Sequence, residues 1–316
     1  MKIVLIAIAL LLIATVLVEA GLRLLFGFGN PLIYIADPQI GYLLAPNQRV
    51  RRFGNRIEIN AYSMRSPPVS LQKAAGTMRV MLLGDSVANG GWWTDQADTI
   101  SELLRQMLQE GQSSAKQDGP IEVLNASANS WGPRNQLAYV ERFGSFASQM
   151  VVLIINTDDL FATVPSSLAV GRDVNYPDRK PRLAMEEFLG RYVFRPKPDP
   201  ALTSLQEEAG DRVGSNLMAI QTLKQRVNQA GGQLLLVMTP LLREVEAPGP
   251  RDYELKARQR LLDFTQAENL PYLDMLTVFK LEQNPAGLYR DHIHLSPEGN
   301  RVVSNGICTA IYPRLP

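Results

Sequence analysis

The chain of 316 residues has few of the side chains that do acid–base or redox chemistry near neutral pH. It has two histidines, His292 and His294, and one cysteine, Cys308. A single cysteine excludes an internal disulfide, and we predict that Cys308 is a buried structural thiol in a final helix. Histidine is the side chain whose unperturbed pKa lies nearest neutrality. A general base is therefore expected in the short stretch that holds both histidines.

The chain also lacks an excess of positive or of negative charge. The chain has 32 lysines and arginines against 31 aspartates and glutamates, a formal net charge of +1. This balance gives no reason to expect nucleic acid as a partner. The sequence also lacks internal repeats and low-complexity tracts. We expect neither a cofactor nor a nucleic acid among its partners.

Only one long apolar run is evident, at Ile3–Val18. With the apolar residues that follow, it predicts a helix of about 24 residues, which is long enough to span a bilayer. Glu19 and Arg23 are spaced to pair at its end. We predict that residues 1–26 form an uncleaved signal anchor in contact with membrane lipid, and that the rest of the chain lies outside the cytoplasm, in the periplasm or extracellularly. Cleavage after Ala20 is the alternative.

Residues 27–75 are rich in turn formers. Ile57 and Ile59 alternate with polar neighbours, which predicts a half-buried strand. We therefore expect an extended N-terminal segment that packs on the following domain. Four arginines of this segment form either a solvated strand face or a contact with anionic headgroups or an acidic glycan: Arg49, Arg51, Arg52 and Arg56.

From residue 76 to residue 316, strands and helices alternate. This pattern predicts a three-layer α/β/α domain with a parallel sheet. The proline-rich interval 161–200 lacks a clear strand, and we predict a lid or substrate-binding insertion there. The predicted strands are Met78–Leu83, Glu122–Asn125, Val151–Ile155, Gln233–Met238 and Tyr272–Met275.

The first strand of this domain runs into Gly84-Asp85-Ser86. A serine at the carboxyl end of a buried parallel strand lies at the sheet edge where open α/β folds bind ligands. It can be a nucleophile if a base reaches it, or simply a helix N-cap. Asp291 stands three residues before His294, close enough in a turn to hold one imidazole nitrogen and leave the other free.

Together, Gly-Asp-Ser after the first strand and Asp-x-x-His before the last helix resemble the first and last sequence blocks of the SGNH, or GDSL-type, hydrolases. The resemblance covers roughly residues 76–316. It implies a flavodoxin-like, five-stranded parallel sheet and an ester hydrolase or acyltransferase activity. It also implies a catalytic triad, with Ser86 as nucleophile, His294 as base and Asp291 as the residue that orients the base.

The resemblance further implies an oxyanion hole made by the Ser86 amide, a block-two glycine and a block-three asparagine. The glycine aligns with Ser130, or with Gly132 under a two-residue shift, and the asparagine aligns with Asp158. A backbone N–H donates whatever its side chain, but an ionised carboxylate repels an oxyanion. Either Asp158 is protonated by burial, or Asn156 supplies the amide, or the activity is altered or lost.

Two further hypotheses concern the surroundings of Ser86. A divalent-metal site for phosphoryl chemistry is a second use for the nearby carboxylates, with Asp85, Asp158, Asp159 and His294 as ligands. Tryptophans that follow the serine and the proposed oxyanion position are candidates for the walls of a substrate site, with a core role as the alternative. They are Trp92, Trp93 and Trp131.

The sequence thus predicts a membrane-tethered serine esterase or O-acyltransferase. Its substrate is expected to be an acylated small molecule or glycan, and an O-acetyl ester of a cell-envelope polysaccharide fits the tether best. The alternative, from another class, is a non-catalytic member of the fold that binds an envelope glycan or organises an assembly. The change at Asp158 favours this alternative, and the retained Ser86, Asp291 and His294 disfavour it.

Overall fold

The computed structural model describes residues 1–115, 119–194, 199–205 and 207–314. The chain begins with one long helix, α1 (Lys2–Phe26), which ends at Gly27 in the left-handed conformation, φ 76°. A glycine at this position is the usual helix stop, because it has no Cβ to oppose a positive φ. Two antiparallel hairpins follow, β1 (Tyr34–Asp37) with β2 (Gly41–Leu44) and β3 (Gln48–Arg52) with β4 (Asn55–Ile59).

The central sheet has five strands in the part of the chain that the structure describes. They are β5 (Met78–Gly84), β6 (Ile121–Ser127), β7 (Met150–Asn156), β8 (Gln233–Thr239) and β9 (Tyr272–Asp274). The order is β6–β5–β7–β8–β9, and every neighbouring pair is parallel. This is the order 2-1-3-4-5 of a flavodoxin-like sheet. The predicted fold is confirmed.

Helices connect these strands across both faces of the sheet. They are α2 (Ser86–Asn89), α3 (Ile100–Ala115), α4 (Pro133–Phe143), α5 (Ala184–Tyr192), α6 (Pro200–Leu205), α7 (Arg212–Gln229), α8 (Leu242–Val245), α9 (Asp252–Ala267), α10 (Met275–Leu281) and α11 (Pro297–Ile311). Single turns of 3-10 helix occupy Gln96–Asp98, Thr157–Phe161, Pro285–Leu288 and Tyr312–Arg314. Cys308 lies in α11, but it is half-buried and not buried as predicted.

Two apolar cores cover the sheet, because successive side chains of a strand point to opposite faces. On β7, Val151 and Leu153 belong to one core, whereas Val152 and Ile154 belong to the other. The first core is completed by α4, α7 and α9 together with the N-terminal hairpins. The second is completed by α3, α10 and α11. The molecule is therefore three-layered, with one layer thickened by the N-terminal segment.

The predicted arginine-rich segment is β3 and β4, and its four arginines do not form one surface. Arg52 is buried, and its guanidinium lies 2.6 Å from the carboxylate of Glu187 on α5. Arg56 pairs with Asp95 at 2.8 Å. Arg49 and Arg51 are exposed on β3. The prediction of a single solvated or headgroup-binding cluster is wrong for Arg52, because its charge is matched inside the protein.

Helix α1 projects from the domain with none of its residues buried. Its most apolar stretch has a mean hydropathy of 2.9; by length and composition it can cross a membrane, and a signal sequence has the same features. The predicted pair is present, with Arg23 Nε 2.6 Å from Glu19 Oε1. The Glu19 carboxylate also accepts the N–H groups of Ala184 and Met185 at 2.7 and 3.0 Å, so it caps the start of α5.

The interval 161–200 packs on the N-terminal hairpins. The N–H of Tyr34 donates to the carbonyl of Pro177 at 2.8 Å. Helix α5 carries Glu187, which also accepts the N–H of Gly29 at 2.7 Å. Residues 195–198 of this interval lie outside the described residues. The insertion and residues 27–75 thus form one additional unit on the rim of the sheet.

Candidate active site

Ser86 is the first residue of α2, directly after β5. Asp85 is the N-cap of this helix, and its Oδ1 accepts the N–H of Val87 at 2.8 Å. A Cβ on Gly84 would lie 2.5 Å from the Cβ of Ala88, so only glycine lets α2 turn back against the strand end. This tight turn presents the Ser86 side chain at the carboxyl edge of the sheet, where open α/β sheets bind ligands.

The structure brings Ser86, His294 and Asp291 into one hydrogen-bonded chain. His294 Nε2 lies 2.9 Å from Ser86 Oγ. His294 Nδ1 lies 3.0 and 2.9 Å from the two carboxylate oxygens of Asp291. With Nδ1 protonated towards Asp291, Nε2 is free to accept the hydroxyl proton of Ser86. The arrangement has the geometry of a nucleophile, a general base and an orienting carboxylate.

A turn in the loop before α11 orients Asp291. Its Oδ1 accepts the backbone N–H groups of Ile293 and His294 at 3.1 and 2.9 Å. Burial acts to raise the pKa of Asp291, but the hydrogen bonds from the backbone and side chain of His294 outweigh it and lower the pKa. Asp291 is thus held as an acceptor for the imidazole. His292 also lines the larger cavity, with 76% of its side chain exposed and its Nδ1 3.9 Å from Asp291 Oδ1, and it has no contact with Ser86 among the described hydrogen bonds.

Ser130 adopts the backbone conformation that a block-two glycine would adopt, with φ 57°. This left-handed region costs a residue with a Cβ roughly 1–2 kcal/mol, so neighbouring contacts must hold it there. Ser130 and Ser86 line the same cavities. The alternative, Gly132, is disfavoured because its N–H already donates to Asn135 Oδ1 at 3.0 Å, at the start of α4.

Asp158 lines the larger of these cavities, but its side chain is 50% exposed and lies 3.5 Å from Arg243. It therefore lacks the burial that the protonation hypothesis requires. The carboxamide of Asn156 is also committed, because its Nδ2 donates to Asp85 Oδ2 and Asp159 Oδ2, each at 3.0 Å. Neither side chain is placed as a free amide donor towards Ser86.

The Asn156 carboxamide joins two buried carboxyl groups behind the nucleophile. Burial raises the pKa of Asp85 to about 6, against the opposing effects of the Val87 N–H and of His294. Burial, followed by the charge of Asp85, raises the pKa of Asp159 well above its usual value. Like charges in one low-dielectric site oppose each other's ionisation. The pair therefore retains a proton more readily than two exposed aspartates would.

The hypothesis of a metal site gains no support from the ligand geometry. Among the described residues, no group of three or more histidine, cysteine, aspartate or glutamate side chains is arranged to hold a metal ion. Of the four suggested ligands, His294 contacts Ser86 and Asp291, and Asp158 lies nearest Arg243. Asp85 and Asp159 are joined through the Asn156 amide.

Ser86 lies between two cavities. The smaller, of about 290 Å³, has an aromatic wall at Trp92 and Trp93, apolar residues of the N-terminal segment, and polar groups that include Arg52 and Arg191. Trp93 packs against the imidazole of His294 with ring centroids 4.2 Å apart and an interplanar angle of 52°. The larger cavity, of about 860 Å³, is open and polar, and the insertion forms much of its wall. The smaller cavity thus offers an aromatic wall beside Ser86, and the larger one offers a more open and more polar space.

The prediction for Trp131 as a wall of the substrate site is wrong. Its side chain is fully buried in the core. Its indole N–H donates to the backbone carbonyl of Tyr42 at 3.1 Å, and its ring packs against Tyr139. Trp131 therefore holds β2 against the loop after β6. Trp92 and Trp93 remain candidates for substrate contact.

The structure adds three residues to the site that the sequence did not indicate. Tyr42 and Tyr176 both line the larger cavity and donate hydrogen bonds to Asn129 and Ser130. The Asn129 side chain lines the smaller cavity, and its buried Oδ1 has no hydrogen-bond partner among the described residues. These residues come from three separate segments. No local motif links them.

The fold and this site define an ester hydrolase of the α/β/α class. A sequence model of the GDSL-like lipase/acylhydrolase family matches residues 82–302. The chain belongs to this family, and its substrates are acyl esters. The matched range begins after the N-terminal hairpins, so the part of the smaller cavity's wall that these hairpins form lies outside it.

Solved structures of similar fold include two esterases. An acetylxylan esterase from Geobacillus stearothermophilus is 14% identical, with 77% of this chain and 96% of that chain covered and a TM-score of 0.49. A lipase/acylhydrolase from Enterococcus faecalis is 14% identical, with 76% and 97% covered and a TM-score of 0.45. A search of curated proteins found no match. Likeness at this level does not identify a substrate.

The raised pKa of Asp85, about 6, predicts a pH-dependent stability. Between the unfolded value, about 4, and about 6, the folded state holds a proton that the unfolded state releases. The contribution of Asp85 to the free energy of unfolding should therefore fall as pH rises through this range, by at most about 1.4 kcal/mol per pH unit from one proton. In Asp85→Asn, this contribution to the pH dependence of the free energy of unfolding should be absent. Urea denaturation of the full chain in detergent at pH 4 to 7 measures it, and an unchanged slope in the variant contradicts the prediction.

Proposed function

We propose that the chain is a serine esterase or O-acyltransferase that forms an acyl-enzyme on Ser86. The observation that carries the proposal is the 2.9 Å contact between Ser86 Oγ and His294 Nε2. Ser86 attacks the ester carbonyl carbon while His294 takes the hydroxyl proton. Asp291 orients the imidazole and stabilises its protonated form. His294 then gives the proton to the departing alcohol, which leaves the acyl group on Ser86.

The resolution of the acyl-enzyme distinguishes hydrolysis from transfer. In hydrolysis, water loses a proton to His294 and attacks the acyl carbon; the bond from the acyl carbon to Ser86 Oγ then breaks, and His294 returns the proton to Ser86 Oγ. In transfer, a second hydroxyl group takes the place of water. The backbone N–H groups of Ser86 and Ser130 are the proposed donors to the oxyanion in both steps. Asp158 lines the larger cavity beside Arg243 and contributes no amide.

The two cavities support an assignment of the ester's parts. The acyl group enters the smaller cavity beside Trp92 and Trp93, and the alcohol lies in the larger polar cavity. An open groove with polar walls accommodates a carbohydrate chain better than it does a lipid tail. The proposed substrate is therefore an acylated glycan, with an O-acetylated cell-envelope polysaccharide as the specific candidate.

A second candidate is a non-catalytic glycan-binding or assembly protein. The observation that favours it is Asp158, whose negative charge stands in the cavity where the related enzymes are expected to have an amide. The assembled hydrogen bonds of Ser86, His294 and Asp291 favour the enzyme.

We also propose that α1 remains uncleaved and tethers the domain to a membrane, with the domain outside the cytoplasm. Glu19 caps α5 through the N–H groups of Ala184 and Met185. The Arg23 guanidinium donates to the carbonyl of Arg182 at 2.7 Å. A cut after Ala20 would remove Glu19 and leave the N–H groups at the start of α5 without their acceptor. The loss would lower the free energy of unfolding by about 1 kcal/mol.

A fluorophosphonate probe tests for the activated serine. The full chain in detergent should gain one covalent adduct on Ser86, which Ser86→Ala should lack, and Ser86→Ala should lower kcat on an acetyl ester by at least about 10³-fold. Ser204→Ala, an exposed serine on α6, serves as the matched control and should keep the adduct. A folded parent protein that gains no adduct would favour the non-catalytic candidate.

The effect of Asp158 is tested by Asp158→Asn. Because the change removes a negative charge from the cavity that Ser86 lines, kcat should rise by about ten-fold, which corresponds to about 1.4 kcal/mol of transition-state stabilisation. Asp263→Asn, on the exposed face of α9, removes an equal charge elsewhere and should leave kcat unchanged. A loss of turnover in Asp158→Asn would instead give the carboxylate an active role. An unchanged kcat would mean that Asp158 does not face the oxyanion.

The tether is tested by fractionation and intact mass. The chain expressed with its native N-terminus should stay in the membrane fraction after alkaline carbonate extraction, because a spanning helix resists it. Its mass should include residues 1–20, and protease added outside spheroplasts should digest the domain. A soluble product that begins at Gly21 would show that α1 is a cleaved signal.

A further inference from the structure

The proposed oxyanion donor, the N–H of Ser130, belongs to the peptide group between Asn129 and Ser130. The carbonyl of the same group is the oxygen of Asn129, and it accepts a hydrogen bond from the Tyr42 hydroxyl at 2.6 Å. In a trans peptide the N–H and C=O are coplanar and point in opposite directions. A contact that fixes the carbonyl therefore also fixes the direction of the N–H.

A second tyrosine holds the other side of this peptide. The hydroxyl of Tyr176 lies 2.8 Å from the Oγ of Ser130. Ser130 has a positive φ of 57°, which residues other than glycine rarely adopt unless their surroundings impose it. The contact from Tyr176 acts on the Ser130 side chain, and a glycine at this position would have no group to receive it.

The two tyrosines are themselves held in place. The rings of Tyr42 and Tyr176 lie 5.1 Å apart, and Tyr34 packs against Tyr176 at 5.0 Å. Tyr34 and Tyr42 are buried. The backbone carbonyl of Tyr42 also receives the indole N–H of Trp131, one residue after Ser130. Aromatic rings packed at these separations leave each hydroxyl little freedom.

We infer that Tyr42 and Tyr176 are positioning residues that hold the Asn129–Ser130 peptide in the orientation that presents its N–H to the oxyanion. This inference rests on the proposed function. Tyr42 comes from β2 and Tyr176 from the insertion. The N-terminal segment and the insertion, which join at these tyrosines, thus complete a site whose nucleophile and base lie elsewhere. A hydrogen bond to the carbonyl also polarises the peptide group, which strengthens the N–H as a donor.

The inference explains how serine replaces glycine at this position. A glycine would take a positive φ without steric cost, but the serine needs an imposed conformation. Tyr176 supplies this through the hydroxyl that glycine lacks. Burial raises the pKa of both Tyr42 and Tyr176, so each remains a hydrogen-bond donor over the physiological range.

The test is a set of tyrosine-to-phenylalanine variants of the full chain in detergent, with kcat and KM measured on an acetyl ester. Tyr42→Phe and Tyr176→Phe should each lower kcat about ten-fold, less than the roughly 10²–10³-fold cost of losing an oxyanion donor outright. KM should stay within about two-fold of the parent value, because the lost contact acts on the transition state.

The matched control is Tyr139→Phe. Tyr139 is buried and its hydroxyl donates to the carbonyl of Tyr62 at 2.7 Å, away from the cavities of the site. This variant loses the same type of hydrogen bond, so its melting temperature should fall by an amount similar to that of Tyr42→Phe. Its kcat should not change. A purely structural role for Tyr42 would give both variants the same kinetic behaviour.

A Ser130→Gly background separates the two contacts. Because Tyr176 acts through the Ser130 hydroxyl, Tyr176→Phe should have no further effect on kcat in that background. Tyr42 acts on the backbone carbonyl, so Tyr42→Phe should still lower kcat there. Equal effects of Tyr176→Phe in both backgrounds would overturn the role assigned to Tyr176.

The failure of the proposed function and the failure of this inference give different results. A folded parent that shows neither turnover nor a fluorophosphonate adduct on Ser86 would overturn the proposed function and this inference with it. A parent that turns over, together with Tyr42→Phe and Tyr176→Phe variants as active as Tyr139→Phe, would overturn the inference alone. The proposed acyl-enzyme mechanism would then remain, and the orientation of the Asn129–Ser130 peptide would not depend on the two tyrosine hydroxyls.

Discussion

The parallel pairing of β5 with β6 and β7 is the constraint on which the site depends. Parallel strands end at the same edge of a sheet, and the residues that follow them therefore meet. Gly84 of β5 is in register with Ser127 of β6, and Leu83 is in register with Leu153 of β7. This register brings the turn at Ser86, the loop through Ser130 and the turn at Asn156 together. His294 reaches the same edge from the loop before α11.

The N-terminal segment, which precedes the matched family range, and the insertion, which lies within it, line the cavities beside Ser86. The N-terminal hairpins and the insertion contact each other through Tyr34, Tyr42 and Tyr176, and through the buried pair of Arg52 with Glu187. The same unit receives the end of α1, because Glu19 caps α5. The wall of the smaller cavity is therefore joined, through α5, to the helix that we propose as the membrane tether.

Two buried carboxyl groups lie behind Ser86, and they are stabilised by hydrogen bonds and by a retained proton. Asp85 caps α2 and shares the carboxamide of Asn156 with Asp159. Two ionised carboxylates in such a site would repel each other and would increase the negative charge near a developing oxyanion. Burial and the charge of Asp85 raise the pKa of Asp159 well above its usual value, which reduces that charge. Asp291 differs because hydrogen bonds from its own turn favour its ionised form, and the imidazole needs that charge.

The sequence by itself determined the sheet, the long apolar helix α1 and the residues that meet at Ser86, which are His294 and Asp291. Alternating apolar strands and helices are local patterns, and they located β5 and β7 to within one residue at each end. The scarcity of histidine and the Asp-x-x-His spacing pointed to His294 and Asp291 before any distance was known. Glu19 and Arg23 were predictable as a pair because a helix sets their separation.

Only the tertiary structure decided what surrounds Ser86. Trp131 follows the proposed oxyanion position in sequence yet points into the core, because side-chain direction after a strand depends on the turn and not on adjacency. Arg52 belongs to a charged run, but its partner, Glu187, lies 135 residues away. Tyr42 and Tyr176 reach the Asn129–Ser130 peptide from segments that have no periodic or motif relation to it. Contacts of this kind form when separate elements pack together, so no local pattern in the chain encodes them.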